Sequence, residues 1–595
     1  MKQNILSLGN GEVSPKFFNR VDLDFFNISC SKMENFIPYS FSGVTKRAGF
    51  EYLGTIDDDA IHKKGKLFFF PISQDEWYIL VFTNSSLKIF DKNYQVVATK
   101  TSPYKFSYPI FDNDLKFYCE QGVGYLFHKN YKVRTLSKVS GVWTLEILTY
   151  ISPNTYPFIT WGTNSLNNPS GENNKFYTTS LTTWQQRMVH GLFKYVSLSK
   201  INILNDFNSS IPLTLTDALT YELYDNQLYS INWMLPNKDF IIIGSNSGIY
   251  TLKKPIDDVL LEISKHSNIG SCDIIPTYIN ENLLYIGLSK KQIYDFSYFY
   301  ENDGYKNIEV SLKAEHLFQK NIIKEAIYQK TSNIQWFIRE DGVLIGLTYI
   351  KDLNISAFHR HTTQGFFEDI IVDGNDELVA LVRREINNKE CLYLEKKPLE
   401  KVFNDDVIED VYLDCSILNE GTEVSLSFAD IIDKTFIDYI GLSFKEAFFT
   451  NIENETISGL SFLEGKNIVV STDDIYIDNL FVVDGEVVGP KGKKRRIGLV
   501  YNSEIETFPL ININNIGNKN KIVTANIFFE NTKGGIVGKY YKGNYEVSTR
   551  LDMTELINNW EKINISSGLD NFNTIFIKQP DGLPMTILTL IVELN

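Results

Sequence analysis

Few residues of this chain have types and spacing that suggest chemistry, and the first are two histidines in the stretch FHRH. His359 and His361 stand two positions apart, so on a strand both imidazoles point to the same side, which is half of a metal site. A third ligand is not evident nearby in the sequence. We therefore favour a packed or surface pair over a ligand role and expect no bound metal.

Phosphate and calcium loops are also poorly matched. The glycine-rich stretches GNGEVS and GSNSGIY lack the Lys-Ser/Thr of a phosphate loop. Acidic runs at 57–59, 405–406 and 473–474 lack the alternating ligands and distal Glu of a calcium loop, so we interpret them as solvated turns. An enzyme is unsupported by these patterns. We expect a non-enzymatic protein without a cofactor.

One concentrated basic patch occurs, in the stretch PKGKKRRIG. Its five cations lie within six positions: Lys491, Lys493, Lys494, Arg495 and Arg496. Five like charges cannot fold together into a core, so we expect them on a turn or a strand end. There they face either water or an anionic partner, and both alternatives stay open.

The elements that position these residues are expected to be strands. The chain has 595 residues, too many for one hydrophobic core, and its 41 Phe and 33 Tyr favour pleated, half-buried surfaces over helices. The net charge of -15 argues against a general basic nucleic-acid binder. The five cysteines lie far apart without a CxxC pair, so neither a zinc site nor a disulfide framework is indicated.

No targeting or membrane segment is predicted. The opening MKQNILSLGNGEVSP has too few apolar residues for the core of a signal peptide, and no run of 18 apolar residues occurs. We expect synthesis in the cytoplasm and no direct insertion into a membrane.

A repeated pattern of apolar strand, tight turn and apolar strand predicts the architecture. Most units are spaced by about 40 to 55 residues, which is typical of four-stranded propeller blades. The seven units start near residues 77, 115, 182, 231, 281, 333 and 377. The longer gap after 115 holds a Pro/Asn/Gly-rich stretch that is typical of a loop.

We predict an all-β, multidomain protein with a β-propeller-like body of about seven blades. The boundaries are an N-terminal docking segment at 1–59, the propeller-like domain at 60–396, and C-terminal β-domains at 397–595. A short amphipathic helix is expected near 425–450, where Phe and Ile recur at helical intervals.

The N-terminal segment lies outside the repeats, so we expect it to serve assembly more than the stability of the monomer. Ser14 can cap a helical turn with Pro15 at its first position. One helical stripe follows, which a later domain or a neighbouring subunit would bury; it comprises Leu23, Phe26, Cys30 and Met33.

The first fifty residues contain a Gly-x-x-Ser-Pro step, followed by Arg-x-Asp, by Asn-Phe, and by a Gly ahead of Arg-x-Gly. The positions are Gly11, Ser14, Pro15, Arg20, Asp22, Asn35, Phe36, Gly43, Arg47 and Gly49. This order of residues resembles the N-terminal block of the nozzle, or tail tubular protein B-like, family of short-tailed bacteriophages. Ala48 stands where the family usually has Pro.

The resemblance continues in order along nearly the whole chain. Its later stretches include WQQRMVHG, FIIIGSNSGIY, IQWFIREDGVLIGLTY, FHRHTTQG, IGLVYNSEIETFPL and KQPDGLPMTILTL. Each motif alone is weak, and their common order over some 570 residues makes the resemblance specific.

The resemblance implies a structural protein of the virion, a homohexameric ring at the distal end of the tail. Such a ring continues the channel from the portal and the adaptor, retains the packaged genome and conducts double-stranded DNA without sequence-specific binding. The implied partners are the adaptor or portal-proximal ring protein, with tail fibres as a further candidate. A propeller adhesin that binds host glycan is the main alternative, and a glycosidase on the same scaffold is a third.

Overall fold

The structure is a computed structural model of the chain. It describes all residues except 1, 6–7, 19, 40–42, 59–63, 108–109, 112–113, 152–177, 226, 228–229, 254–260, 280–281, 300–303, 326–328, 400–410, 421–453, 473–475, 511–520, 542–543, 554, 566–567 and 570–572. The loop expected after residue 115 and the helix expected near 425–450 fall in or mostly in these gaps and lie outside the described residues. Among the described residues, no helix is both long and apolar enough to cross a bilayer.

Five strands precede the repeats. They are β1 (Lys2–Ile5), β2 (Cys30–Glu34), β3 (Phe36–Pro38), β4 (Val44–Lys46) and β5 (Glu51–Asp57). Two single-turn 3-10 helices, Pro15–Phe17 and Phe26–Ile28, lie between β1 and β2.

Blades 1 to 4 are four-stranded antiparallel meanders. Blade 1 comprises β6 (Lys66–Pro71), β7 (Trp77–Thr83), β8 (Ser86–Phe90) and β9 (Val96–Thr101). A small hairpin of β10 (Phe106–Ser107) and β11 (Ile110–Phe111) leads to blade 2, with β12 (Lys116–Glu120), β13 (Val123–His128), β14 (Tyr131–Val139) and β15 (Val142–Ile147). Blade 3 comprises β16 (Ser180–Trp184), β17 (Arg187–Leu192), β18 (Tyr195–Leu198) and β19 (Leu219–Glu222). Blade 4 comprises β20 (Ile231–Pro236), β21 (Phe240–Ser245), β22 (Ile249–Lys253) and β23 (Glu262–Ser267).

Blades 5 to 7 follow the same plan. Blade 5 comprises β24 (Thr277–Ile279), β25 (Asn282–Ile286), β26 (Ile293–Phe299) and β27 (Gly304–Glu309), and the 3-10 segment Ser311–Phe318 follows it. Blade 6 comprises β28 (Ile322–Glu325), β29 (Ile334–Arg339), β30 (Leu344–Ile350) and β31 (Ile355–His361), with a 3-10 turn at Lys351–Leu353. Blade 7 comprises β32 (Phe366–Val372), β33 (Leu378–Ile386) and β34 (Lys389–Lys397), and β5 pairs with β34 as its fourth strand.

Neighbouring blades pack through apolar side chains, because each pleated sheet has two faces to cover. Within the described residues, a buried cluster joins every pair of neighbours from blades 1 and 2 round to blades 6 and 7. The cluster that contains Ile79 and Leu381 joins blade 7 back to blade 1. The propeller is therefore a closed ring, and the prediction of about seven blades is confirmed.

The C-terminal region extends two of the blades. Its strands are β35 (Asp414–Glu420), β36 (Asn454–Ile457), β37 (Asn467–Ser471), β38 (Tyr476–Phe481), β39 (Val487–Pro490), β40 (Lys494–Leu499), β41 (Ser503–Thr507), β42 (Ile522–Glu530), β43 (Ile536–Tyr541), β44 (Asn544–Arg550), β45 (Trp560–Asn564), β46 (Thr574–Gln579) and β47 (Thr586–Leu594), with a 3-10 turn at Ser461–Leu463. The sheet of blade 7 continues through β35, β40, β37 and β38, and that of blade 6 through β2, β41, β46, β43 and β44. A third sheet of β1, β3, β4, β47, β42 and β45 packs on the extension of blade 6 across one apolar core.

The N-terminal segment is part of this core, which corrects the expectation that it lies outside the repeats. Strand β2 lies between β31 of blade 6 and β41 of the C-terminal region, and β5 lies between β34 and β35. Cys30 and Met33 are fully buried, as expected, but on a strand rather than on a helix. An isolated short helix is marginal, and pairing on both edges satisfies the backbone of β2 better.

Candidate functional site

Several of the N-terminal residues that carry the family resemblance converge at the junction of three parts of the chain: the N-terminal segment, blade 6 and the C-terminal sheets. We call this place the N-terminal junction and define it by Gly11, Glu12, Asn35, Arg47, Gly49 and the residues that they contact. It consists of two charged clusters, described below, joined by β2.

Arg47 is the centre of the first cluster and is fully buried. Its guanidinium makes a bidentate pair with Asp414, with two N–H···O distances of 2.8 Å. Its remaining donors reach the Asn35 amide oxygen at 2.9 Å, the Ala48 carbonyl at 2.9 Å and the Thr362 carbonyl at 3.0 Å. All five N–H groups are therefore satisfied, which is what a buried guanidinium requires.

Burial and pairing oppose each other in this ion pair. Burial alone would lower the pKa of Arg47 and raise that of Asp414, but their mutual attraction and hydrogen bonds outweigh it. The pKa of Arg47 is therefore raised and that of Asp414 is lowered, so both stay charged. The Tyr501 ring covers the guanidinium, with its centroid 3.8 Å from Cζ.

Asn35 and Gly49 hold the backbone around this pair. Asn35 adopts the left-handed conformation with φ of 57°, which Asn tolerates better than most residues. Its amide oxygen also accepts the Thr362 N–H at 3.0 Å. A Cβ on Gly49 would lie 2.1 Å from the Leu413 carbonyl oxygen, so only glycine allows the two backbones to approach.

Glu12 is the centre of the second cluster, and the sequence pattern alone did not single it out as a functional residue. Its buried carboxylate accepts from Arg360 Nε at 2.9 Å and also pairs with the terminal nitrogen of that guanidinium. The Met33 N–H donates to it at 2.8 Å, and His316 Nε2 lies 2.7 Å away. Burial would raise the pKa of Glu12, but these partners hold it below its usual value.

Gly11, Ser14 and Pro15 place Glu12. Gly11 has φ of 69°, and a Cβ there would lie 2.4 Å from the Phe358 carbonyl oxygen on β31. Ser14 caps the first 3-10 helix with Pro15 at its first position, as predicted, and its own N–H donates to the Lys313 carbonyl at 2.8 Å. The Gly-x-x-Ser-Pro step therefore turns the chain so that Glu12 enters the core.

Arg20 and Asp22 differ from the rest of the motif because they lie on the surface. They form a bidentate pair with two distances of 2.8 Å, while their side chains are 53% and 61% exposed. An exposed pair of this kind contributes little to folding, because solvent and salt screen its attraction. Of the motif's charged residues, these two can meet a partner without unfolding the junction.

The basic patch is split by the structure. Arg495 and Arg496 lie on β40 and are buried, where Arg495 pairs with Glu455 and Arg496 with Glu51 at 2.9 Å. The expectation that all five charges meet water or a partner is wrong for these two, because each pairs with an acid from a distant part of the chain. Lys493 is exposed on the preceding turn, and Lys491 and Lys494 beside it are half-buried.

The histidine pair is packed in the core, as favoured. His359 and His361 are fully buried on β31, with His359 Nδ1 2.6 Å from His361 Nε2 and with the Trp336 ring against both. Burial lowers the pKa of His359 to about 3 and that of His361 well below its usual value. Within the described part of the chain, no group of three or more His, Cys, Asp or Glu side chains is placed to hold a metal.

The acidic runs yield less. Asp57 ends β5, whereas Asp59 and the runs at 405–406 and 473–474 lie outside the described residues.

No protein-family model and no curated protein matches the sequence. Among solved structures, the RRP9 WD40 repeats align with a TM-score of 0.38 and 8% identity over 60% of this chain and 100% of theirs. The WD40 domain of Neurospora crassa Pan2 aligns with a TM-score of 0.35 and 10% identity over 61% of this chain and 98% of that one. These similarities concern the fold alone. The assignment as a propeller rests on the seven blades and their packing described above.

Proposed function

We propose that the chain is a structural virion protein that forms the nozzle ring at the distal end of a short phage tail. The observation that supports this most is the convergence of the resemblance motif. Gly11, Arg47 and Gly49 each contact a residue more than 300 positions away: Phe358, Asp414 and Leu413. Asn35 accepts a hydrogen bond from Arg47 at the same junction. These residues therefore have structural reasons for their identity, which supports the resemblance on which the proposal rests.

The junction gives the protein the rigidity that such a ring needs. The N-terminal segment is tied to β35 by the buried Arg47–Asp414 pair and to blade 6 by the Glu12–Arg360 pair. Its strands β2 and β5 continue the sheets of blades 6 and 7 into the C-terminal region. A wall that conducts DNA under pressure carries load between its domains, and separate domains on free linkers would not hold the channel in line.

The proposed ring is a homohexamer that docks on the adaptor or portal-proximal ring protein, with tail fibres as a further partner. DNA passes through it without sequence-specific contacts. The exposed pair Arg20–Asp22 and the turn that holds Lys493 are the surfaces proposed for these contacts. A ring closes only if the rotation between neighbouring subunits divides the circle evenly.

Purified full-length protein tests the proposal by analytical ultracentrifugation and negative-stain electron microscopy. Closed six-fold rings, and labelling of this protein at the distal tip of virion tails, are the expected results. A stable monomer that binds components of a glycan array would instead support the adhesin. The double variant R20A/D22A should lower ring formation, and K92Q, on an exposed turn of blade 1, is the matched control.

A further inference from the structure

The centre of the propeller holds a cavity of about 670 Å³ that the proposed function does not use. Its walls come from the inner strands β6, β12, β28 and β32 and from residues 273–277 before and in β24. It therefore lies on the axis of the ring of blades, where residues from five blades face one another. Its size lies in the range of small-molecule sites.

The lining of the cavity carries both signs of charge in equal number. Its lysines and acids among the described residues are Lys64, Lys66, Lys116, Lys290, Lys324, Asp114, Asp273, Glu325, Glu368 and Asp369. Ion pairs join members of this set: Asp273 with Lys290 at 2.7 Å, Asp369 with Lys324 at 3.0 Å, and Glu368 with Lys64 at 3.8 Å. A charged ligand would have to break such a pair or enter without a counter-charge, so these walls favour a polar ligand without net charge.

Lys116 keeps part of its hydrogen-bonding capacity for a ligand. Among the described residues, its Nζ donates to the Asn232 carbonyl at 2.7 Å and to the Thr179 carbonyl at 3.1 Å. An ammonium group has three N–H groups, so one donor is left over. Burial lowers the pKa of Lys116, and Asp273 is the acid whose attraction opposes this most.

Asp273 supplies an acceptor near this donor. Its Oδ1 pairs with Lys290 Nζ, and its Oδ2 can accept from a ligand. A hydroxyl group accepts one hydrogen bond and donates another, so it can join Lys116 and Asp273 without disturbing the ion pair.

The other part of the wall is apolar and only half-buried. Phe68 and Phe117 lie with ring centroids 5.5 Å apart, and Ile274 and Ile323 extend this surface. Ile323 is 37% exposed although it belongs to β28, the inner strand of blade 6. Removal of such apolar surface from water is favourable, and the C–H face of a sugar ring is flat enough to cover it.

We propose that this axial cavity binds a neutral sugar of monosaccharide size, whose hydroxyls meet Lys116 and Asp273 and whose ring lies against Phe68 and Phe117. The same chemistry is present in a free sugar and in the terminal sugar of a glycan. The inference goes beyond the proposed nozzle function and does not depend on it, since the cavity is formed within one chain.

Isothermal titration of the full-length protein tests the proposal with D-glucose, D-galactose and D-mannose as probes. Sodium glucuronate and glucosamine serve as charged relatives of similar size. At least one neutral hexose is expected to bind, and more tightly than either charged relative, because the paired walls have no counter-charge to spare. No binding of any hexose at about 50 mM, well above a millimolar dissociation constant, would overturn the proposal. A charged relative that binds more tightly than every neutral hexose would overturn the neutral class.

Variants of the two polar residues locate the site. Lys116→Met and Asp273→Leu should each weaken hexose binding about tenfold, or about 1.4 kcal/mol, because each removes a hydrogen-bonding group and nearly keeps the volume of the side chain. Lys92→Met, on an exposed turn of blade 1, is the control and should leave affinity unchanged. Melting curves confirm that each variant is folded. Full affinity in both cavity variants would overturn the site.

Cys119 gives a readout that needs no variant. It lines the cavity, and of the five cysteines of the chain it is the one that is not buried. A bound hexose should slow the alkylation of Cys119 by a maleimide, measured by mass spectrometry of its peptide. Hexose binding that leaves this rate unchanged would place the ligand elsewhere and overturn the axial site.

The titration also distinguishes the two sources of such a sugar. An oligosaccharide with the preferred hexose at its non-reducing end is titrated beside the free hexose. Equal affinity supports the end of a glycan as the natural ligand, whereas binding of the free hexose alone supports a metabolite.

Discussion

At the scale of single residues, Arg47 joins three parts of the chain through five hydrogen bonds. Its acceptors come from the N-terminal segment, from the end of blade 6 and from β35. Removal of this side chain would leave the Asp414 carboxylate buried without its cation. The energetic consequence is larger than for any exposed pair because water cannot replace the lost partner.

Arg47→Met should lower the free energy of unfolding by about 3 to 5 kcal/mol, the usual effect of breaking a buried pair. Arg47→Lys should also be destabilising, since an ammonium group cannot make the bidentate contact. Midpoints of thermal and chemical unfolding measure both changes. Arg20→Met, on the exposed motif pair, is the control and should shift the midpoint little; a similar small shift for Arg47→Met would contradict the role given to the junction.

The buried histidines predict loss of stability in acid. The unfolded chain takes up protons as the pH falls through about 6.5, whereas folded His359 has a pKa of about 3. The unfolded state therefore binds more protons between these values, so stability is present above pH 6.5 and is lost as the pH falls toward 3. Each excluded proton lowers the free energy of unfolding by about 1.4 kcal/mol per pH unit.

The double variant H359Q/H361Q should flatten this acid dependence in melting curves taken between pH 4.5 and 7. His361 contributes in the same direction, because burial and its neighbour His359 also lower its pKa. His190 is buried elsewhere with a pKa of about 3, so part of the slope should remain. An unchanged slope would mean that the pair is protonated in the folded state.

The basic patch should separate into two groups by mutation. Lys491, Lys493 and Lys494 changed together to Gln should reduce assembly while leaving the melting temperature nearly unchanged, because exposed or half-buried lysines contribute little to folding. R495Q/R496Q should instead lower the melting temperature, because it removes the buried partners of Glu455 and Glu51. Unaltered assembly in the lysine variant would mean that these three lysines make no contact that assembly needs.

At the scale of elements, the N-terminal segment contributes one inner strand to each of two sheets. Strand β2 lies in the extended sheet of blade 6, and β5 lies in that of blade 7. Neither is an edge strand, since each has a partner on both sides. Their removal would open unpaired backbone edges on the propeller and on the C-terminal region together. The segment therefore stabilises the monomer, so a loss of assembly after its removal would not by itself demonstrate an assembly role.

Deletion of residues 1–34 should yield a protein that aggregates or melts far below the full chain. The loss of β2 exposes the core of Ile505 and Ile577, to which Cys30 and Met33 belong. Gly11→Ala is a milder test, because its Cβ would press on the Phe358 backbone, and it should lower the midpoint without abolishing folding. A deletion variant that melts cooperatively at a temperature near that of the full chain would contradict this expectation and would support a role of the N-terminal segment in assembly alone.

The sequence pattern was sufficient for the blades, except for β5 as the fourth strand of blade 7, but not for the junction. Alternating apolar strands with polar turns repeat locally, so the units near 231 and 333 begin within a residue of β20 and β29. Arg47–Asp414 and Arg496–Glu51 join residues hundreds of positions apart, and periodicity carries no information on such pairs. A weak signal existed in the single Asp of VYLDCSIL, since a lone carboxylate in an apolar run needs a cation.

At the scale of the whole molecule, the net charge of -15 bears on how strongly the wall of an assembled ring would bind DNA. We expect a lumen wall that is predominantly acidic or neutral. A wall with roughly 6 to 10 phosphate contacts would hold DNA with an affinity that falls about 10³ to 10⁵-fold between 50 and 200 mM salt. Such binding would slow ejection, whereas weak repulsion keeps the duplex off the wall.

Titration of short duplex DNA into assembled rings at low salt checks this expectation. Weak binding with a shallow salt dependence is the expected result. Tight, steeply salt-dependent binding within the lumen would contradict it, and Lys491, Lys493 and Lys494 would then be the first residues to replace.

The central position of β2 also affects how the chain is made. About 470 residues separate β2 from its partner β41, which corresponds to roughly 20 to 90 s of translation at 5 to 20 residues per second. During that time Cys30 and Met33 have no C-terminal sheet to cover them, and β5 waits for β34 before the propeller can close. Strand β2 thus lacks one of its two partners until β41 has been synthesised, so nascent chains should need a chaperone during that time.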